Sequence, residues 1–360
     1  PIYAQALYWL GQLQSWAGDA ATSAATLERA VQRAAEARDD TLLLQAASER
    51  IYVVGYELGR PDEALTMGAI LGPLVTRAGE KPVARADLLN YVGVVLWSKG
   101  AYGEAQAHFE RALPLAVAAL GPDHEQVAAI HTNLGNVLAD QGRFAEALAH
   151  YDQELEITVR TLGAQHPNAA RVHVNVGTVL TEQGKYDQAQ GHLDTALALW
   201  EAAYGPDHMM VAMTLSELGD LYNRRGDHAR ALPYSERAVA IGVASLPPDH
   251  PLQATFLLRR GAALLGLERP VEAIAPLERA LAIREHAAGD PVERASVELA
   301  LARALWAGKG DRARAHGLAR AARATFAAAG DRKRSELAAA DTWMASHPHA
   351  PHPTIARPSP

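Results

Sequence analysis

The sequence predicts an all-helical protein made of about eight helix-turn-helix units in tandem. Three observations predict it. Glycine recurs at a 42-residue interval, at Gly93, Gly135, Gly177, Gly219 and Gly261. A second glycine comb, at Gly100, Gly142, Gly184 and Gly226, follows the first by seven residues. The composition is rich in Ala, Leu, Glu, Arg and Gln and low in aromatics, as helices prefer.

Within each unit the elements follow in order. A glycine inside a helix costs about 1 kcal/mol against alanine, so its return at one helical phase predicts that another backbone passes there too closely for a Cβ. That comb marks the crossing of helix A with helix B. The second comb marks the turn, where a left-handed residue stops helix A. An aromatic then opens helix B at Tyr102, Phe144 and Tyr186, and Pro61 and Pro270 take that place in two units, since a first helical turn does not need the missing N–H. Small residues at Ala105, Ala147, Ala189, Ala231, Ala273 and Ala315 let helix B nest against helix A, as do Ala112, Ala196, Ala238, Ala280 and Ala322 further along. Glu154 is the exception in that second row.

A punctuated link joins the units: Leu120-Gly121-Pro122-Asp123-His124, Tyr204-Gly205-Pro206-Asp207-His208 and Leu246-Pro247-Pro248-Asp249-His250, with Leu162-Gly163-Ala164-Gln165-His166 as a degenerate copy. It stops one helix and caps the next. Its four histidines occupy the same link position in different units, so they read as structural rather than as a metal array. A 41-residue step backwards gives Gly59 and Gly18 as turns, with Tyr52 and Gly11 as crossings. A step forwards puts Arg303 at the last crossing and Gly310 at its turn. Unit boundaries fall near residues 1–41, 42–82, 83–124, 125–166, 167–208, 209–250, 251–291 and 292–330. An amphipathic stretch at 331–346 is expected to cap the last hairpin, and a Pro- and His-rich tail at 347–360 to be disordered. His347, His349 and His352 read as part of that tail, not as a metal site.

Composition narrows the function. A net charge of −7 argues against nucleic acid as a partner, and the absence of Cys removes disulfides, thiol nucleophiles and thiolate-bound metals. No apolar run of membrane-spanning length and no secretory signal pattern appear, which points to a cytoplasmic protein without membrane contact. The chain opens on Pro1 inside an amphipathic pattern, as a piece of a longer protein would. Gly184-Lys185 lacks the preceding glycine of a phosphate loop, and His124-Glu125 lacks the second histidine of a metalloprotease. No catalytic triad, cofactor or metal site can be nominated, so the expectation is a protein that is not an enzyme.

The run Asn133-Leu134-Gly135-Asn136-Val137-Leu138, then Gln141-Gly142-Arg143-Phe144-Ala145-Glu146-Ala147, closing on Leu162-Gly163, resembles the tetratricopeptide repeat. The 42-residue period and the Leu-Gly-Pro-Asp-His link are similar to the kinesin-light-chain kind of repeat. The resemblance implies a right-handed α-α superhelix with the A helices lining a concave groove, and a scaffold that binds a protein or peptide there. Such arrays also resemble C-terminal regions of bacterial multidomain serine/threonine kinases, which implies a regulatory or sensory role in bacterial signalling as the alternative.

Counting from the crossing position, helical geometry sends residues at −3, −2, +1, +4 and +5 away from helix B and into the groove. This places Tyr8, Trp9, Gln12 and Trp16 there, then Glu49, Arg50, Tyr56 and Glu57, then Asn90, Tyr91 and Trp97. The central units add Thr132, Asn133, Asn136 and Asp140, then Asn175, Thr178 and Glu182. The later ones add Ser216, Glu217, Asp220, Asn223, Arg224 and Arg259. A row of amides, Asn90, Asn133, Asn136 and Asn175, can pair with the backbone of an extended peptide, with Tyr91 and Trp97 as anchoring aromatics. In kinesin-light-chain-like repeats the matching asparagines contact cargo peptides, which the resemblance carries to Asn90, Asn133 and Asn175. Trp200 and Trp306 read as core. Exposed end aromatics, Trp9 and Trp16, point to self-association through the end units. The nine Lys and Arg between Arg303 and Arg334 read as a solvated basic face.

Overall fold

The computed structural model describes residues 2–77, 82–286 and 291–347, with the side chains of 76, 77, 331 and 332 left aside. Every long element is a helix. The described chain falls into two compact units, residues 1–179 and 180–360.

The first unit holds four hairpins: α1 (Ile2–Trp16) with α2 (Ala20–Glu36), α3 (Asp40–Tyr52) with α4 (Pro61–Arg77), α5 (Pro82–Ser98) with α6 (Tyr102–Leu120), and α7 (Glu125–Asp140) with α8 (Phe144–Leu162). Most of α9 (Pro167–Glu182) belongs to it as well. The second unit holds α10 (Tyr186–Tyr204), then α11 (Met209–Arg225) with α12 (His228–Ser245), α13 (Pro251–Gly266) with α14 (Pro270–His286), and α15 (Pro291–Ala307) with α16 (Arg312–Ala328). A last helix, α17 (Arg334–Ser346), packs on α16, and the tail beyond residue 347 lies outside the described residues.

Four crossings are contacts between a glycine of helix A and a large side chain of helix B. A Cβ on Gly93 would stand 2.5 Å from the Phe109 ring, and one on Gly261 2.6 Å from Leu277. Gly11 faces Leu27 and Gly135 faces Tyr151 in the same way. The space is claimed by a helix B side chain, not by its backbone as the sequence suggested. Phe109, Leu27 and Leu277 are fully buried, which contributes about 1.5–3 kcal/mol each.

Two units depart from the expected register, each by one residue. In the second hairpin Val53–Glu57 forms a π turn, with the Leu58 N–H donating to the Val53 carbonyl at 2.9 Å. The wide turn absorbs the extra residue, so the crossing falls on Ile51 rather than Tyr52. On helix B a Cβ at Gly68 would lie 3.9 Å from Ile51 and 2.8 Å from Val92 of α5. In the last hairpin the left-handed residue is Lys309 (φ 56°), not Gly310, and the Lys309 N–H bonds the Trp306 carbonyl just as the Gly100 N–H bonds that of Trp97. The crossing residue is therefore the fully buried Ala302, opposite Ala319, and Arg303 stands one position beyond it.

The link histidines cap helices. His124, His166, His208 and His250 each present Nδ1 to the backbone N–H two residues on, at 3.2–3.3 Å. Asp39 caps α3 at the first link, and within hairpins Asp19, Asp227 and Asp311 cap the B helices α2, α12 and α16. Glu154, the odd residue in the alanine row, is fully buried and paired with Arg171 at 2.5 Å. Burial raises its carboxyl above the usual range, against the pull of that guanidinium.

Two outcomes follow for stability. Gly93→Val drives two methyls into Phe109 and is expected to cost about 1–3 kcal/mol; Phe109→Ala in the same chain, by opening the space, should make the Val tolerable, as thermal melts by circular dichroism would read. Arg171→Leu leaves a buried carboxylate alone and should cost about 3 kcal/mol, whereas Arg171→Leu with Glu154→Ala should melt no lower than the parent.

Candidate functional site

In the first unit the A helices α1, α3, α5 and α7 bring together a polar and aromatic face. Tyr91 donates to Glu49 Oε2 at 2.7 Å, and Gln12 Nε2 donates to the Tyr8 hydroxyl at 2.9 Å and reaches Glu49 Oε2 at 3.4 Å. Ser15 donates to Glu57 at 2.6 Å, and Gln126 donates to Asp87. The π turn aims Tyr52 and Tyr56 at the same face: Tyr56 stacks between Tyr52, at 5.4 Å, and Trp97, at 6.4 Å, and Tyr52 leans on Tyr91 at 5.8 Å. Trp97 Nε1 donates to Asp140 at 2.6 Å.

This face is acidic. Among the described residues no Lys, Arg or His pairs with Glu49, Glu57 or Asp87. Burial raises the Glu49 carboxyl above the usual range, opposed by the hydrogen bonds from Tyr91 and Gln12. Burial, then the Glu49 carboxylate, push Asp87 up to about 7. Gln12 Oε1 and Glu57 Oε2 are buried acceptors with no hydrogen-bond donor.

The expected amide row is only partly turned outward. Asn133 Nδ2 donates to Asn90 Oδ1 at 2.9 Å across neighbouring hairpins, leaving Asn90 Nδ2 and Asn133 Oδ1 outside that bond. Asn136 accepts from the Tyr151 hydroxyl at 2.8 Å and is held to its own hairpin. Asn175 is half-buried, and Thr178 donates back to the Val174 carbonyl. Tyr8 and Tyr91 belong to the cluster; Trp9 leans on Tyr8 at 5.4 Å but is 54% exposed, and Trp16 is 76% exposed. Arg50 leaves the face: with the crossing on Ile51 it points back toward the B helices, 3.3 Å from Glu28 and against Met67.

In the second unit Glu182, Glu217 and Asp220 have arginine partners. Arg259 pairs with Asp220 and lies 3.5 Å from Glu217, and Arg224 reaches Asp220 at 2.8 Å and Glu182 at 3.4 Å. Burial alone would raise Asp220, but Arg259 and Arg224 overcome it and hold the carboxyl below its usual range. Beside this network α11, α13, α15, α16 and α17 enclose a cleft of about 780 Å³. Its wall is mostly apolar, with Leu258, Leu265, Leu299, Trp306 and Trp343 prominent. Trp306, expected in the core, is half-buried in this wall because it occupies the helical place that Trp97 has in the third hairpin. Arg303 lines the cleft too, and the sequence register hid it by assigning it to the crossing. The signal was present as Gly310, the extra residue between the Lys309 turn and Ala315.

Among the described residues no group of three or more His, Asp or Glu could hold a metal ion, and no helix is long and apolar enough to cross a membrane.

The tetratricopeptide repeat profile matches residues 84–158, 126–193, 168–242 and 211–286, together more than half of the chain. The chain belongs to the tetratricopeptide repeat family. No curated protein matches the sequence. Among solved structures this repeat protein is similar in fold to the apo form of RapI (TM-score 0.65, 10% identity, 90% of this chain and 86% of that one). A Rap protein complexed with Competence and Sporulation Factor has a TM-score of 0.62 and 13% identity, covering 96% of this chain and 99% of that one. BtubC (BKLC) from P. vanneervenii has a TM-score of 0.53 and 20% identity, covering 62% and 91%.

The Asp87 environment sets a pH dependence. Its folded pKa lies above the ordinary 3.8, so between about pH 4 and 7 the folded protein holds a proton that the unfolded chain has released. This group therefore costs stability increasingly as pH rises through that window. Asp87→Asn keeps the acceptor for Gln126 and should melt above the parent at pH 8, with the gap closing near pH 4; an equal gap at both values would contradict the assignment.

Proposed function

We propose that this tetratricopeptide repeat protein is a non-catalytic interaction scaffold whose first unit holds an extended, basic peptide segment on its A-helix face. The observation that carries the reading is the set of Glu49, Glu57 and Asp87, buried or half-buried carboxyls without a basic partner among the described residues. Acids of this kind cost desolvation energy that an incoming guanidinium or ammonium offsets. The stacked Tyr52, Tyr56 and Trp97 rings offer π faces to the same cations. Buried acceptors on Gln12 and Glu57 add sites for donors.

Asn90 and Asn133 offer one donor and one acceptor to a peptide backbone, and Asn175 and Thr178 extend the row. Glu217, Asp220 and Arg259, in the second unit, take no part in this face, because they already neutralise one another. The Rap protein of like fold was solved with a bound factor, which fits a fold able to accept such a partner.

A labelled ten-residue peptide alternating Ala and Arg should bind saturably in fluorescence anisotropy, with an alternating Ala and Glu peptide as control. Glu49→Gln with Glu57→Gln keeps both side-chain shapes and should weaken the basic peptide by about tenfold or more. Arg259→Gln in the second unit should leave it unchanged. Equal binding of the two peptides, or indifference to the double substitution, would sink the reading.

A further inference from the structure

The second unit carries a cleft that the peptide reading does not use. It measures about 780 Å³, within the roughly 300–1,000 Å³ typical of small-molecule sites. Two cations line it. Arg224 is committed to Asp220 and Glu182, with Glu336 of α17 also nearby. Arg303 has no ion pair or hydrogen bond among the described residues, although burial already disfavours its charge. An unpaired guanidinium in an apolar wall is costly to keep unless something anionic meets it.

We propose that this cleft binds a small carboxylate with an apolar body, an aliphatic or aromatic acid, whose carboxylate pairs with Arg303. The body lies along Leu258, Leu265, Leu299 and the two indoles of Trp306 and Trp343, which meet edge to face at 5.9 Å. A guanidinium fork matches a carboxylate bidentately, and the water-poor wall strengthens that pair. The wall's other polar groups are largely engaged. Asn223 donates to the Arg259 carbonyl at 2.9 Å and faces His228 at 3.2 Å, and Ser296 donates back to Val292 at 3.0 Å. A peptide would bring backbone amides that these groups cannot satisfy, whereas a hydrocarbon or aryl chain brings none. The helix α17 forms one wall, so the site depends on that helix being docked.

The test is isothermal titration of the full chain with decanoate, decanamide and a trileucine peptide. Decanoate should bind saturably, and decanamide about tenfold or more weakly. Arg303→Gln should abolish the difference between acid and amide, and Arg303→Lys should retain part of it. Because Arg303→Gln removes a desolvated cation without a partner, its melting temperature should not fall. Ala300→Phe, which fills the cleft and leaves the charge alone, should weaken acid and amide alike. The proposal is overturned by equal binding of acid and amide, by a preference that survives Arg303→Gln, by no saturable binding of decanoate into the millimolar range, or by tighter binding of the peptide.

Discussion

A hairpin in this protein turns on one contact, the residue of helix A at the crossing against its opposite on helix B. Two helices approach closely where the facing side chains together fit the gap, so a glycine on one side admits bulk on the other. Gly93 with Phe109 and Gly261 with Leu277 place the bulk on helix B, and Gly219 with Ser235 brings two small residues together. The rest of each hairpin is phased from this point. Once the crossing is set, 3.6-residue geometry decides which side chains face the neighbouring helices and which face away.

That phasing explains how the two units come to carry different electrostatics on the same helical positions. In the first unit the outward positions gather carboxyls and aromatic rings, and the π turn in the second hairpin adds Tyr52 and Tyr56 to them. In the second unit arginines stand at the equivalent places, so Asp220 and Glu217 are neutralised internally. Farther along, leucines and tryptophans replace polar groups and leave one arginine unpaired in an apolar cleft. The first face suits cations and the cleft suits an anion. Both follow from substitutions on a constant backbone plan.

Much of this plan was legible in the chain. The glycine combs located the hairpins, the histidines of the links read as structural and do cap helices, and the resemblance to tetratricopeptide repeats named the family that the profile match establishes. Two registers were not legible. Counting on a constant step assigned Tyr52 and Arg303 to crossings because a single inserted residue is invisible until one knows where the backbone absorbs it. At Val53–Glu57 it is absorbed inside a helix, and at Lys309 in a turn. Arg50 accordingly does not join the A-helix face of the first unit, and Arg303 and Trp306 line the cleft of the second.

What the sequence determined alone was whatever depends on period: the helical class, the hairpin, the turn, and the alanine row on helix B. These are local or repeat between neighbours, so spacing suffices to specify them. The tertiary structure alone decided which polar groups satisfy one another. Whether Asn90 meets Asn133, whether Glu154 finds Arg171, and whether Asp87 finds any cation are questions of distance between side chains on different helices. A charge in a sequence has no partner until the fold brings one within a few ångströms, and that is where the binding properties of this protein are set.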